Sequence, residues 1–393
     1  MSEVRPLAEA DGDRLVEVLV QAFNFGPALQ ALYRSIPLSE WRGIEHKGVL
    51  QAMLRVIPCG QFFGGRLLRS AAIAAVAVAS ESRGLGLSSR LLHGVLASLR
   101  EEGILLTTLF PSVQAVYRRV GYEAAGIYTR VKAVVGGLGI PPVPGVEIER
   151  WTDAEFPEIQ ECYRGFARNE NGLMDRSPSF WNEKVLRVYP ERVVHRFLVR
   201  RGDRVTGYFL YTQEPPGSFD RSIWLRDLVY LDADSARAIL GFFGGQRVFV
   251  SHASWPSAPD CPLAILVPGE VKADHPDDSY VFMTRLLDVR GALAARGYNQ
   301  AVNASVELDV RDPLFPESEG GLRLEVEGGA GRVTQGRSAR ARIDVGALTA
   351  VFTGSLSASE AARLGRLEGA TTEELSALDA IFSGRKPWLM DTF

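Results

Sequence analysis

Two stretches of this chain share one outline, and that outline limits what it can fold into. "AAVAVASESRGLGLSSRLLHGVLASL", Ala74 to Leu99, opens as a run of Ala and Val, passes through a polar turn bearing glycine, and closes with apolar residues at helical spacing. "SIWLRDLVYLDADSARAILGFFGG", Ser222 to Gly245, again reads strand, turn, helix. The repeat is weak in sequence and lies about 145 residues on, well above solenoid periods. With 393 residues the chain is also too long for one ordinary core, so two or three domains are expected.

The two turns differ in chemistry. The first has Arg83-Gly84-Leu85-Gly86, whereas the second has Asp232-Ala233-Asp234-Ser235, with acids where glycines stood. Exposed N–H groups at a helix start, together with the helix dipole, make an anion site. For those amides to touch a pyrophosphate, the residues before the helix must lack bulk and bend freely, which glycine allows. The first turn meets that requirement; the second places negative charge where a phosphate would go. The first is not a Walker A loop, because no Lys-Ser/Thr pair follows. It is not the full G-x-G-x-x-G either, since Ser89 holds the third position. The helix that follows packs through Leu87, Leu91, Leu92, Val95, Leu96 and Leu99.

Three regions emerge. The first, 1–140, contains a capped helix in "EADGDRLVEVLVQAF", the Ala74–Leu99 unit, a buried strand in "GILLTTLFPS", and a strand "IYTRVKAVV". The segment "GGLGIPPVPG" marks its end. The second, 141–279, restarts with an acid-capped helix, "TDAEFPEIQECYRGFA", and a hairpin, "RFLVRRGDRVTGYFLYTQE". The third, 280–393, opens with a helix "VFMTRLLDVRGALAARGY", continues with alternating strands that include "ARIDVGALTAVFTG", and ends in two short capped helices and "RKPWLMDTF".

Composition excludes several classes. The formal net charge is −3, with no charge block, so nucleic acid is not an expected partner. No apolar run reaches about 18 residues, and the acidic N-terminus lacks a signal-peptide pattern, so no membrane association is expected. Three separated cysteines fit reduced thiols in a cytoplasmic protein. The five histidines, His46, His93, His195, His252 and His275, have no metal-ligand spacing, so no metal is expected.

Arg-x-x-Gly-x-Gly/Ala between strand and helix resembles the acetyl-CoA loop of the GNAT superfamily of N-acetyltransferases. About 25 residues on, in a rough count, "FPSVQAVYRRVGYEAAG" resembles that superfamily's short helix carrying a tyrosine, here Tyr117, closed by Gly121-Tyr122. A narrower resemblance covers the whole chain. One acetyltransferase fold, a second without the cofactor loop, then a module like a sterol carrier protein ending in an aromatic residue is similar to the enhanced intracellular survival (Eis) family. The expected fold is therefore α/β and α+β: two GNAT folds, the second degenerate, followed by a sterol-carrier-protein-like domain. Two departures stand out: Gly84 and Leu85 occupy positions where the family often has arginine, and Ser88 replaces a small Gly or Ala.

The resemblance implies direct transfer of an acetyl group from acetyl-CoA to a primary amine of a small, cationic acceptor, aminoglycoside-like or another polyamine, or to lysine. It implies Tyr117 as general acid and the C-terminal carboxylate of Phe393 as base or ammonium-binding group. It implies contacts to acetyl-CoA from Val76, Val78, Arg83, Gly84, Leu85, Gly86, Leu87 and Ser112, and a homohexamer. A phenol of pKa about 10 can protonate a thiolate whose parent pKa is about 8.5 as charge develops on sulfur. Each residue also has a plainer reading. Tyr117 can be a packed helix tyrosine, Ser112 a helix N-cap, Val76 and Val78 strand core, and His93 a solvated surface residue. Asp391 is a candidate for attracting a cationic substrate. The competing function is a non-catalytic small-molecule or lipid-binding protein using the third module; the intact first turn with Tyr117 speaks against it.

Overall fold

The computed structural model describes residues 3–187, 192–214, 221–274, 279–336 and 339–393; His275 and the residues beside it lie outside these. Each of the three regions has its own sheet, but a strand near each junction is handed to another region's sheet. The first sheet runs Val4–Pro6, Trp41–His46, Val49–Phe63, Arg66–Val78, Leu106–Leu109, Tyr280–Leu286, Glu123–Tyr128. The second runs Val271–Ala273, Arg130–Val134, Val250–Pro256, Arg221–Tyr230, Arg204–Glu214, His195–Arg201, Glu147–Arg150. The third contains Ala330–Gln335, Gly320–Glu327, Ala304–Arg311, Arg342–Asp344 and Leu367–Glu368.

The sheets correct three expectations. "IYTRVKAVV" is not one strand: Glu123–Tyr128 stays in the first sheet, and Arg130–Val134 crosses into the second, against Val250–Pro256. "VFMTRLLDVRGALAARGY" is not one helix: Tyr280–Leu286 is a strand between Leu106–Leu109 and Glu123–Tyr128, and the helix is only Val289–Ala295. In "ARIDVGALTAVFTG" only Arg342–Asp344 is strand; Val345–Thr353 is a helix buried along its whole length, with the Asp344 carboxylate accepting from the Ala347 N–H. Short apolar runs do not tell strand from buried helix; their neighbours do. Divisions after 140 and 279 therefore separate stretches of chain but not sheets.

The first sheet places the functional region. Its strand Arg66–Val78 pairs in parallel with Leu106–Leu109 over Ser70–Ala72 and Leu106–Thr108. Between them in sequence lies the helix Leu87–Glu101, which buries the six apolar residues its spacing predicts, onto Ile44, Leu54, Val56 and Ile73. The second sheet repeats the unit, with Arg221–Tyr230 parallel to Val250–Pro256 and the helix Ala233–Gly244 between. The core of the third domain, among it Leu308, Leu324, Leu348 and Phe352, is completed by Phe63, Leu68 and Leu106 of the first sheet.

Candidate active site

The parallel strands part company after Ala72 and Thr108, so Ile73–Val78 and the chain beyond Leu109 diverge around a fork. A bulge lies on that open stretch. Arg55 pairs with Ala74 and Met53 with Ala77, so Ala75 and Val76 face Leu54 alone, and Ala75 has φ 49°. A non-glycine residue held there costs on the order of 1–3 kcal/mol, which the flanking ladder must offset. The bulge leaves backbone groups of the extra residue outside the ladder, free to meet a ligand. Ala75 was not singled out from sequence. Its one signal is the alanine-rich stretch from Ala71 to Ala79, whose small positions let other backbone approach. Val76, in the bulge, and Val78, just beyond it, are half-buried against the loop-helix core, so both expected roles are compatible with their placement.

Beyond Val78 the chain makes a turn through Ser80–Ser82, where the buried Ser82 hydroxyl lies 3.1 Å from Gln51 Oε1. Arg83, Gly84, Leu85 and Gly86 then stand exposed. Gly84 (φ 80°) and Gly86 (φ 70°) are in the left-handed region, and a Cβ on either would project into open space. Gly86 is the N-cap of the following helix and offers no side-chain acceptor. The first N–H groups of that helix therefore point outward unclaimed by a cap, the condition an anionic ligand requires. Leu87 is buried in the core, so only its backbone N–H can serve such a ligand. The second turn is closed: the Asp232 carboxylate accepts from the Ser235 N–H at 2.7 Å, taking an amide and repelling phosphate. By this test the residues of the first turn fit a CoA pyrophosphate and those of the second do not.

Tyr117 sits on the short helix Gln114–Arg118, buried, its ring edge-on to Tyr122 at 6.0 Å. Burial pushes its phenol above the ordinary value, and a hydrogen bond with Ser112 pulls part of that back. Ser112 is exposed and is not the cap, a position held by Val113. His93 is exposed on the loop helix.

The C-terminus is docked, not frayed. The Leu389 N–H donates to Ile127 O at 3.1 Å and the Trp388 N–H to Asn171 O at 3.0 Å. The Trp388 indole donates to Glu170 at 2.9 Å. Close backbone approach is possible because Gly126 and Gly172 lack side chains: a Cβ there would lie 2.4 Å from Pro387 O and 2.7 Å from Trp388 O. Phe393 packs on Phe110, just past Leu109, with centroids 5.2 Å apart, in a cluster with Ala72, Ala74 and Phe282. The last residue thus reaches the fork of the first sheet. Asp391, expected as a lure for cations, is buried with its carboxylate on Arg176 and is not available for that role.

Beside the tail is a cavity of about 280 Å³, lined by Tyr128, Lys184, Arg192, Thr212, Trp224 and Thr392 among others. Lys184 and Arg192 are ion-paired to Glu183 and Glu214. A second, more apolar cavity of about 550 Å³ lies between Glu123–Ile127 and the third domain, away from the glycine turn. Among the described residues there is no cluster of three or more His, Cys, Asp or Glu able to hold a metal ion. None of the described helices is long and apolar enough to cross a membrane.

The fold and the fork define a class. Residues 3–125 and 172–286 each match an acetyltransferase (GNAT) domain, and 289–390 a sterol carrier protein domain. An uncharacterised N-acetyltransferase of Streptomyces griseus is 27% identical over 351 residues, covering 84% of this chain and 83% of that one. Another, of Streptomyces avermitilis, is 26% identical over 430 residues, 100% of this chain and 98% of its own. A GCN5-related N-acetyltransferase from Anabaena variabilis superposes with a TM-score of 0.94 at 27% identity, over 100% of both chains. Eis1 from Mycobacterium abscessus shares the whole-chain fold, with a TM-score of 0.80 at 24% identity and 100% coverage of both. The chain belongs to the GNAT N-acetyltransferases, with two GNAT domains followed by a sterol-carrier-type domain, a whole-chain fold it shares with Eis1. It is an acyltransferase.

Proposed function

We propose that the protein moves the acetyl group of acetyl-CoA to a primary amine of a small acceptor, directly and without an acyl-enzyme. The observation that carries this reading is the contrast between the two turns. The glycine turn leaves its helix N-terminus uncapped beside the fork, and its counterpart caps itself with Asp232. Arg83 and the amides of Gly84, Leu85, Gly86 and Leu87 hold the pyrophosphate. The backbone at Val76, in the bulge, and at Val78 just beyond it receives the pantetheine arm, and Ser112 stands near its sulfur end. Tyr117 gives its phenolic proton to the departing thiolate as the amine nitrogen bonds the thioester carbon. The Phe393 carboxylate binds the incoming ammonium and takes its proton, directly or through water. An α-carboxylate of pKa about 3.5 is a weak base for an amine, so binding is the larger part of its role.

The amine enters through the cavity beside the tail. Carboxylates that border it, Asp227 and Asp391, are already engaged by Arg176, so charge attraction gives a polycation no special advantage over a singly charged amine. By the same resemblance the protein is taken as a homohexamer, which a light-scattering mass of a single chain at micromolar concentration would refute.

The test is acetyl-CoA-dependent thiol release with a panel of amines, including aminoglycosides, polyamines and a lysine peptide. It is run on protein ending at Phe393 and on a copy extended past it. Release with some amine, lost on extension while acetyl-CoA still binds, supports both the reaction and the role of the terminus. No release with any amine and no acetyl-CoA binding would return the glycine turn to architecture and favour a binding protein.

A further inference from the structure

A buried guanidinium joins three parts of the chain next to the fork. Arg176 follows the strand Met174–Asp175, which is itself paired to Gly60 and Gln61 of the first sheet. Its side chain is fully buried, lying over the ring of Tyr163 at 4.0 Å. It donates to both oxygens of Asp227 in the second sheet, at 2.6 and 2.8 Å. It also donates to both oxygens of Asp391 in the tail, at 2.9 and 2.8 Å. Tyr208 adds its hydroxyl to Asp227 at 2.8 Å.

Stability alone does not explain such a triad. One cation and two carboxylates taken out of water cost more desolvation than apolar packing would, and often gain nothing over it. What the triad supplies is direction, because a guanidinium fork donates to carboxylates best in its own plane. Asp391 is two residues before the terminus, and two extended residues span only about 7 Å. With Asp391 held at one end and the Phe393 ring held on Phe110 at the other, the terminal carboxylate has little freedom left.

We propose that Arg176, backed by Asp227, is a positioning residue that fixes the Phe393 carboxylate at the fork by gripping Asp391. The proposal rests on the reading of that carboxylate as a reacting group. The degenerate second domain thereby acquires a definite role, since it supplies the anchor for a tail that completes the first domain's site.

Asp391→Asn is the first variant, because it leaves Arg176 and Asp227 as a matched pair and strands no charge. The second inserts two glycines after Asp391, leaving the triad intact and lengthening the reach. Each is compared with native protein and with a chain lacking Phe393, by kcat, KM for acetyl-CoA, unfolding midpoint, and release of phenylalanine by carboxypeptidase. The expected result is a fall in kcat of about 10²-fold in both variants, the size of effect a misplaced group can produce. KM for acetyl-CoA and the midpoint stay near native, and the protease frees phenylalanine faster from both. Undiminished kcat and protection in Asp391→Asn, or full turnover in the insertion variant, overturns the positioning role. If the chain lacking Phe393 turns over normally, the carboxylate reading itself has failed, and the positioning proposal falls with it.

Discussion

Tyr117 shows how a residue can satisfy two readings at once. Its ring is core, packed with Leu91, Leu109 and Tyr122, while its hydroxyl meets Ser112 at the end of the fork strand. Because burial raises its pKa, the phenol stays protonated through neutral pH, which is the form a general acid needs. Turnover should therefore fall as pH rises through the phenol's shifted value, above the ordinary value of about 10. Removing the Ser112 hydroxyl takes away the interaction that pulls the pKa down, so Ser112→Ala should move this alkaline limb higher still. Tyr117→Phe should cut kcat by about 10²-fold at neutral pH. A pH profile of thiol release for the three proteins checks both. Lower stability with unchanged kcat would assign Tyr117 to the core alone.

At the scale of elements, the two strand–turn–helix units form a natural pair for comparison. Gly86 caps its helix by backbone conformation, and Asp232 caps the other by its side chain. Gly86→Ala places a Cβ in open space but at φ 70°, so the cost is backbone strain of about 1–2 kcal/mol, not a clash. It should lower the unfolding midpoint and weaken acetyl-CoA binding together. Asp232→Ala loses an N-cap, about 1 kcal/mol of stability. It should leave acetyl-CoA affinity untouched, since that turn holds no ligand. Calorimetric titration with acetyl-CoA beside thermal unfolding separates the two effects. If Asp232→Ala also weakened binding, the second turn would have a part in the cofactor site that its charge argues against.

At the scale of the whole molecule, the exchanged strands make the three domains interdependent. Tyr280–Leu286 is an interior strand of the first sheet, paired on both sides, with Phe282, Met283 and Leu286 fully buried. A fragment ending at residue 279 would expose the edges of Leu106–Leu109 and Glu123–Tyr128 at the fork. It should fail to fold, even though it contains both regions that the chain's own repeat suggests. Limited proteolysis and circular dichroism of that fragment test this; a stable, acetyl-CoA-binding fragment would refute it. The tail adds a second dependence, because Trp388 and Leu389 bridge residues of both acetyltransferase regions before Phe393 arrives.

The glycine turn, its contrast with the acidic turn, the six-residue apolar face of the loop helix and the two capped helices near the end of the chain were legible in the sequence, whereas the Asp11 side chain expected to cap the first helix makes no hydrogen bond to that helix. Each depends on neighbours within a few residues, where backbone freedom and helical periodicity decide the outcome. The tyrosine and the terminal phenylalanine were legible only through resemblance to a family. The bulge at Ala75, the passage of Arg130–Val134 into the second sheet and of Tyr280–Leu286 into the first, and the grip of Arg176 on Asp391 were not legible at all. A strand's sheet is set by the partners that complete its hydrogen bonds, and those lie more than 150 residues away for Tyr280–Leu286. Arg176 and Asp391 are 215 residues apart. No local pattern encodes such a meeting; only the packed chain, in which a buried charge must be paired or hydrogen-bonded, brings it about.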